Sequence, residues 1–236
     1  MKKSTLILSL FLFAFSYGIA QNTYEQNLEN LAVIHFPAQP LTRDTLGQKV
    51  YSLATDKANY IVLIMNDKSD TKIELKKNEL DEFYTGTING TLQASEGKLI
   101  SKKDFTVDGL KGVEFEFTSD KNPNIPKLRF QRMIYTDKGV LAVNFWTNDD
   151  NKNILQRKDD FFNSLKFNTK DQELKQYTST AISSDRRENS SAYNLGFSIG
   201  KILGFLLIPG IIILIIVLVR NKNKRNEKMV SDIGKN

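Results

Sequence analysis

The side chains able to do chemistry are few. The 236-residue chain has no cysteine and one histidine, His35. Disulfides, thiolate zinc sites and cysteine nucleophiles are therefore excluded, and a Ser-His-Asp triad would have to run through His35. That histidine precedes Phe36-Pro37 at the end of an apolar run, where a structural or surface role is the plainer reading. Carboxylates are the remaining reagents. Asp81-Glu82, Asp149-Asp150 and Asp159-Asp160 are adjacent pairs, whereas Glu114 and Glu116 lie two apart and share one face of a strand. Two carboxylates on one face could divide acid and base roles or hold a cation. The competing reading is the solvated face of an amphipathic strand, which the alternation itself favours. Asp149-Asp150-Asn151 reads as a helix N-cap, and Asp67 to Asp70 lacks the spacing of a calcium loop. A phosphate-cradling glycine loop, a Gly-x-Ser-x-Gly elbow and a His-Glu-x-x-His pair are absent from the sequence. No catalytic, cofactor-binding or metal-ligating residue is assigned.

The elements that would position these groups are mostly strands. Ala32 to Phe36 is a short run stopped by Pro37. Gln48 to Leu53 alternates, and Asn59 to Met65 is continuously apolar, as in a central strand covered on both faces. Gly97 to Val107 ends at the Asp108-Gly109 turn signal, and Val113 to Phe117 alternates with Val113, Phe115 and Phe117 inward. Leu128 to Tyr135 and Val140 to Trp146 flank Asp137-Lys138-Gly139 as a hairpin. Alternation sends Arg129 to one face and Phe130 and Arg132 to the other, so these basic side chains do not cluster. Asn78 can cap a helix from Glu79 through Leu92, although Gly86 and Gly90 weaken it, and a second helix runs from about Asn151 to Leu165. The pattern is α+β: an antiparallel sheet with helices packed on it.

The two ends address a membrane. Lys2-Lys3, the apolar run Leu6 to Phe15 and Gly18-Ile19-Ala20 form an export signal over residues 1–20, with cleavage between Ala20 and Gln21. Ile202 to Val219 is uncharged, and its 18 positions would span about 27 Å as a helix, close to a bilayer core. The span is placed at residues 196–219. Arg220, Lys222, Lys224 and Arg225 then act as a stop-transfer signal, leaving residues 220–236 cytoplasmic and the bulk outside. The net charge of +6 divides accordingly, with +2 on residues 1–20, −1 on 21–200 and +5 on 201–236. A nucleic-acid partner thus loses its electrostatic basis. Residues 168–195, rich in Ser, Thr and Asn, read as a polar tether between a domain at 21–167 and the membrane.

Ala192, Gly196, Gly200 and Gly204 recur every four residues and would form one small-residue stripe on a helix. Such a stripe reads either as a flexible juxtamembrane hinge or as a helix–helix contact, Gly196, Gly200 and Gly204 then supporting a homodimer through the span.

The punctuation of the exported part resembles the PsbP-like family, small exported α+β domains named for an extrinsic subunit of photosystem II, with bacterial relatives. The likeness runs over about residues 28–167 and is carried by Phe36-Pro37, Gly47 to Tyr51, Asn59-Tyr60, Gly109-Leu-Lys-Gly-Val-Glu-Phe115, Arg129 to Tyr135 and Phe161-Phe-Asn-Ser-Leu-Lys-Phe167. It implies a PsbP-like sandwich, non-catalytic and used for protein contacts, here with a membrane anchor that the photosynthetic member lacks. The expectation is a single-pass protein of the bacterial cytoplasmic membrane whose periplasmic domain binds a protein partner without a cofactor. A carboxylate-dependent hydrolase of the envelope is the alternative.

Overall fold

The computed structural model describes residues 23–45, 48–66, 75–168, 174–177 and 191–205. The cleavage pair Ala20 and Gln21, the stop-transfer residues Arg220, Lys222, Lys224 and Arg225, and the apolar stretch 206–219 lie outside them. Among the described residues, no helix is long and apolar enough to cross a membrane.

Among the described residues, ten strands and three α-helices follow one another. Strands β1 (Tyr24–Leu28), β2 (Ala32–Phe36), β3 (Leu41–Thr45), β4 (Gln48–Ala54) and β5 (Ala58–Asn66) precede helix α1 (Leu80–Ser95). Then come β6 (Lys98–Val107), β7 (Leu110–Thr118), β8 (Leu128–Thr136), β9 (Gly139–Thr147), α2 (Lys152–Asn163) and β10 (Lys166–Phe167). Helix α3 covers residues 191–205. Seven strands form one antiparallel sheet in the order β3-β4-β5-β9-β8-β7-β6, and β1-β2-β10 form a smaller antiparallel one. The architecture is mixed α+β, as the patterning implied.

Local chemistry explains the joints. Asp108 (φ 47°) and Gly109 (φ 80°) are both left-handed, the two-residue turn whose twist suits the β6–β7 hairpin. The side chain of Asn151 accepts from the N–H groups of Asn153 and Ile154, each at 3.1 Å, and so starts α2. Asn78, by contrast, lies inside a 3₁₀ turn ahead of α1, and the backbone N–H of Lys76 donates to the Glu79 carboxylate at 2.8 Å.

Both faces of the large sheet are covered. Tyr60, Val62, Ile64, Val143 and Phe145 pack under α2 and the small sheet, with Phe36, Phe161 and Phe162. Leu63, Val113, Phe115, Phe117 and Met133 pack under α1 and α3, with Phe83, Ile88, Ile199 and Leu203. Strand β5 therefore alternates between two cores, which is why its sequence is uninterruptedly apolar.

Helix α3 alters the reading of the chain after residue 167. Its small-residue stripe lies against α1 of the same chain, not against a second copy. A Cβ added at Gly196 or Gly200 would collide with the backbone carbonyl of Phe83 or Thr87, and one added at Gly86 or Gly90 would collide with that of Tyr193 or Phe197. Thr91 Oγ1 donates to the Gly200 carbonyl at 3.3 Å. Glycines on both helices permit a backbone-to-backbone approach that no larger side chain allows. The two helices run parallel, since Phe83 meets Gly196 and Ala94 meets Gly204. Residues 174–177, within the stretch read as a tether, also hold to the domain. Gln176 Nε2 donates to the carbonyls of Lys111 (2.7 Å) and Tyr135 (2.9 Å), and its Oε1 accepts from Lys111 N–H at 2.7 Å.

Candidate functional site

Cross-strand register gathers the charged groups of the face beneath α2. Glu114 on β7 lies opposite Lys103 on β6 and Arg132 on β8, and α2 lowers Lys158 onto the same carboxylate. Arg132 Nε donates to Glu114 Oε2 at 2.6 Å, while Lys103 Nζ and Lys158 Nζ lie 3.1 and 3.7 Å from Oε1. Arg132 also donates to Asn163 Oδ1 at 3.1 Å and sits over the Phe105 and Phe162 rings. The solvated-face reading of both glutamates is thus corrected for Glu114, which is only 5% exposed. α2 covers its end of the strand, and a buried carboxylate needs compensating cations. Burial pushes the Glu114 carboxyl up, but the hydrogen bonds and charges of Arg132 and then Lys103 outweigh it and hold it below its usual range. A carboxylate kept ionised cannot donate a proton near neutrality, which disfavours the acid role in any two-glutamate mechanism. Glu116, half-buried, accepts from Ser101 Oγ at 3.3 Å.

The other acidic pairs have structural duties. Asp81 accepts from Lys111 Nζ at 2.6 Å, Asp159 lies 2.8 Å from Lys158 Nζ, and Asp149 accepts from Asn151 N–H at 3.1 Å. Among the described residues, no three His, Cys, Asp or Glu side chains come together as a metal site.

Arg129 and Arg132 lie on opposite faces, as alternation requires. Arg129 is buried beneath the α1 face, 4.5 Å above the Trp146 ring, with its Nε donating to the Pro126 carbonyl at 3.1 Å. Burial pulls its pKa down to about 10. Beside it, Gln131 and Asn144 are cross-strand neighbours, fully buried, and neither side-chain amide has a hydrogen-bond partner. Only the interruption of apolar runs by Gln131 and Asn144 hinted at this polar seam. Leaving a buried amide unpaired costs about 1–3 kcal/mol. Gln131→Met and Asn144→Leu should therefore each raise stability by about 1 kcal/mol, read as a higher urea midpoint at unchanged slope. A lowered midpoint would show that the amides are satisfied in solution.

One open cleft of about 550 Å³ lies between α2, the end of β2 and the β4–β5 turn. That size is ordinary for a ligand pocket. Tyr60 and Phe161, packed edge to face at 5.0 Å, form its floor. His35, Arg157 and Asp160 line it along with the Tyr60 phenol, and Ser164 lies beside them. Helical spacing puts Arg157 and Asp160 one turn apart on the same side of α2. Arg157 has no carboxylate within ion-pairing distance among the described residues, so its fork of donors faces solvent in the cleft. His35 Nε2 lies 3.3 Å from Glu25, and its backbone N–H donates to Ser164 Oγ at 3.0 Å. Burial pushes the Tyr60 phenol above its usual range, Arg157 draws it back and Asp160 pushes it further up. An aromatic floor edged by one cation and one anion can bind a polar or zwitterionic group. The sequence marked His35 but could not reveal that Arg157, Asp160 and Tyr60 would join it.

Fold and cleft together define an α+β domain of antiparallel sheets with a cleft of about 550 Å³ against α2. No protein-family profile matches the chain, and no curated protein matches it. Several solved structures are similar, two of which follow. The solution structure of cyanobacterial PsbP (CyanoP) from Synechocystis sp. PCC 6803 is 17% identical, with a TM-score of 0.43, over 64% of this chain and 95% of that one. A Pseudomonas aeruginosa protein of unknown function is 14% identical, with a TM-score of 0.32, over 58% of this chain and 88% of that one.

Proposed function

We propose that the chain is an exported, membrane-anchored binding module of the PsbP-like kind, meeting a protein partner through the Tyr60–Arg157 cleft. The export signal and the apolar run with its basic flank support the anchored topology. The observation that carries the binding role is the cleft itself, a concave aromatic floor with the exposed Arg157 at its edge. The triple pairing of Glu114 supports a non-catalytic reading over the hydrolase. A photo-crosslinking residue at Arg157 in the full-length protein in native membranes should give a discrete higher-mass adduct. The same residue at Lys138, in the β8–β9 turn, should give none. Equal labelling at both positions, or a hydrolytic activity abolished by Glu114→Gln, would overturn the proposal.

A further inference from the structure

We infer that one end of the domain, formed by the α1–β6 corner and the exit of α3, rests directly on the bilayer surface. The inference rests on reading the apolar run as a membrane span, one that begins where α3 leaves α1 at about Phe205, because Leu203 and Gly204 are packed on the domain. Register defines the end: Ala58, Thr147, Leu128, Thr118 and Lys98 form a single rung across β5, β9, β8, β7 and β6. Helix α1 points toward it. Near its start, Tyr84 Oη donates to the carbonyl of Lys111 and accepts from Tyr135 N–H, at the opposite end of the sheet. At its finish, the Ser95 carbonyl accepts from Ser119 Oγ, and the Ala94 carbonyl accepts from Lys121 Nζ at 3.1 Å. Because α3 is parallel to α1 and locked to it by glycines, it leaves the domain at this same end, with Phe205 the last residue described. The sequence then continues apolar to Val219.

Apolar side chains collect there. Phe205 is 67% exposed and Ile202 43%, and on β6, within three residues of the rung, Leu99 is 46% exposed and Ile100 52%. Ile100 is the residue skipped by the β6–β7 register shift. At about 3.3 Å per residue, Ile100 lies about 7 Å from the rung, within the reach of groups that dip into a bilayer interface. Lys121 and Lys127 at this end are paired with Glu96 and Asp120. The β4–β5 turn belongs to this end too, so Thr55 places the cleft at the membrane side of the domain. A tether long enough to hold the domain clear of the surface is incompatible with α3 docked along α1.

The absence of cysteine makes the test direct, because a single introduced thiol carries a unique probe. The full chain is reconstituted in phosphatidylcholine vesicles with an environment-sensitive fluorophore on Leu99→Cys or Lys138→Cys. Lipids spin-labelled near the headgroup should quench position 99 several-fold more than position 138. Adding Gly200→Leu should bring position 99 down to the level of 138 while the protein still floats with the vesicles. Equal quenching at 99 and 138 in a protein that floats overturns the seating alone. A protein that does not float, or that carbonate extracts, overturns the span reading and the seating with it.

Discussion

Gly200→Leu and Gly90→Leu are each expected to destabilise the protein by on the order of 3 kcal/mol, the upper end of overpacking costs. Local propensity argues the other way, since replacing a helical glycine gains about 1 kcal/mol. Sterics decide the sign. The atoms a new Cβ would meet at these positions are backbone carbonyls of Thr87 and Phe197, which have no rotamer to change. The helices must separate, and Ile199 and Leu203 then lose their places against Phe83 and Ile88. Burial of each such side chain is worth about 1.5–3 kcal/mol, so separation is not cheap either. In the full chain in detergent the loss corresponds to a fall in melting temperature of about 6–12 °C. Because both substitutions break one contact, the double variant should cost clearly less than the two singles added together. Full additivity, or two neutral single variants, would mean that α1 and α3 are not in contact.

Glu114→Gln is expected to cost about 3–5 kcal/mol, the loss typical of a broken buried ion pair. The amide cannot compensate Arg132 and Lys158, both largely buried at this carboxylate. Glu116→Gln, two residues along on the same strand, should change stability by less than about 0.5 kcal/mol. A pH series separates the two further. The folded-state pKa of Glu114 is lowered, so its contribution is fully present above the ordinary carboxylate range and is lost as pH falls through the lowered value. Urea midpoints measured from neutrality to about pH 3 should therefore fall more steeply for the parent chain than for Glu114→Gln. Parallel curves would remove the buried ion cluster as a source of stability.

Much of the fold was legible because single elements announce themselves. Ala32–Phe36 was placed to the residue, and β4 to β9 and α2 to within a few, since alternation, turn residues and the Asn151 cap act locally. β1 and β3 were missed: Tyr-Glu-Gln-Asn-Leu and Leu-Thr-Arg-Asp-Thr are edge strands with little buried face, so they carry no apolar period. The stretch before Gly196 read as a polar tether, yet Gln176 is stitched to β7 and β8, a contact 65 residues away in sequence from Lys111.

By itself the sequence determined which elements form, where polarity alternates, which reagents are missing, and that the basic excess lies at the two ends, not in residues 21–200. Each of these depends on residues within one or two turns of one another. Tertiary structure alone decided what faces what. Glu114 and Glu116 have the same local pattern, and only the descent of α2 makes one a buried ion and leaves the other half-exposed. Gly86 and Gly90 looked like weaknesses in a helix, and Gly196 to Gly204 looked like a surface for another chain. They proved to be two halves of one contact, because a small residue advertises close approach without specifying the partner.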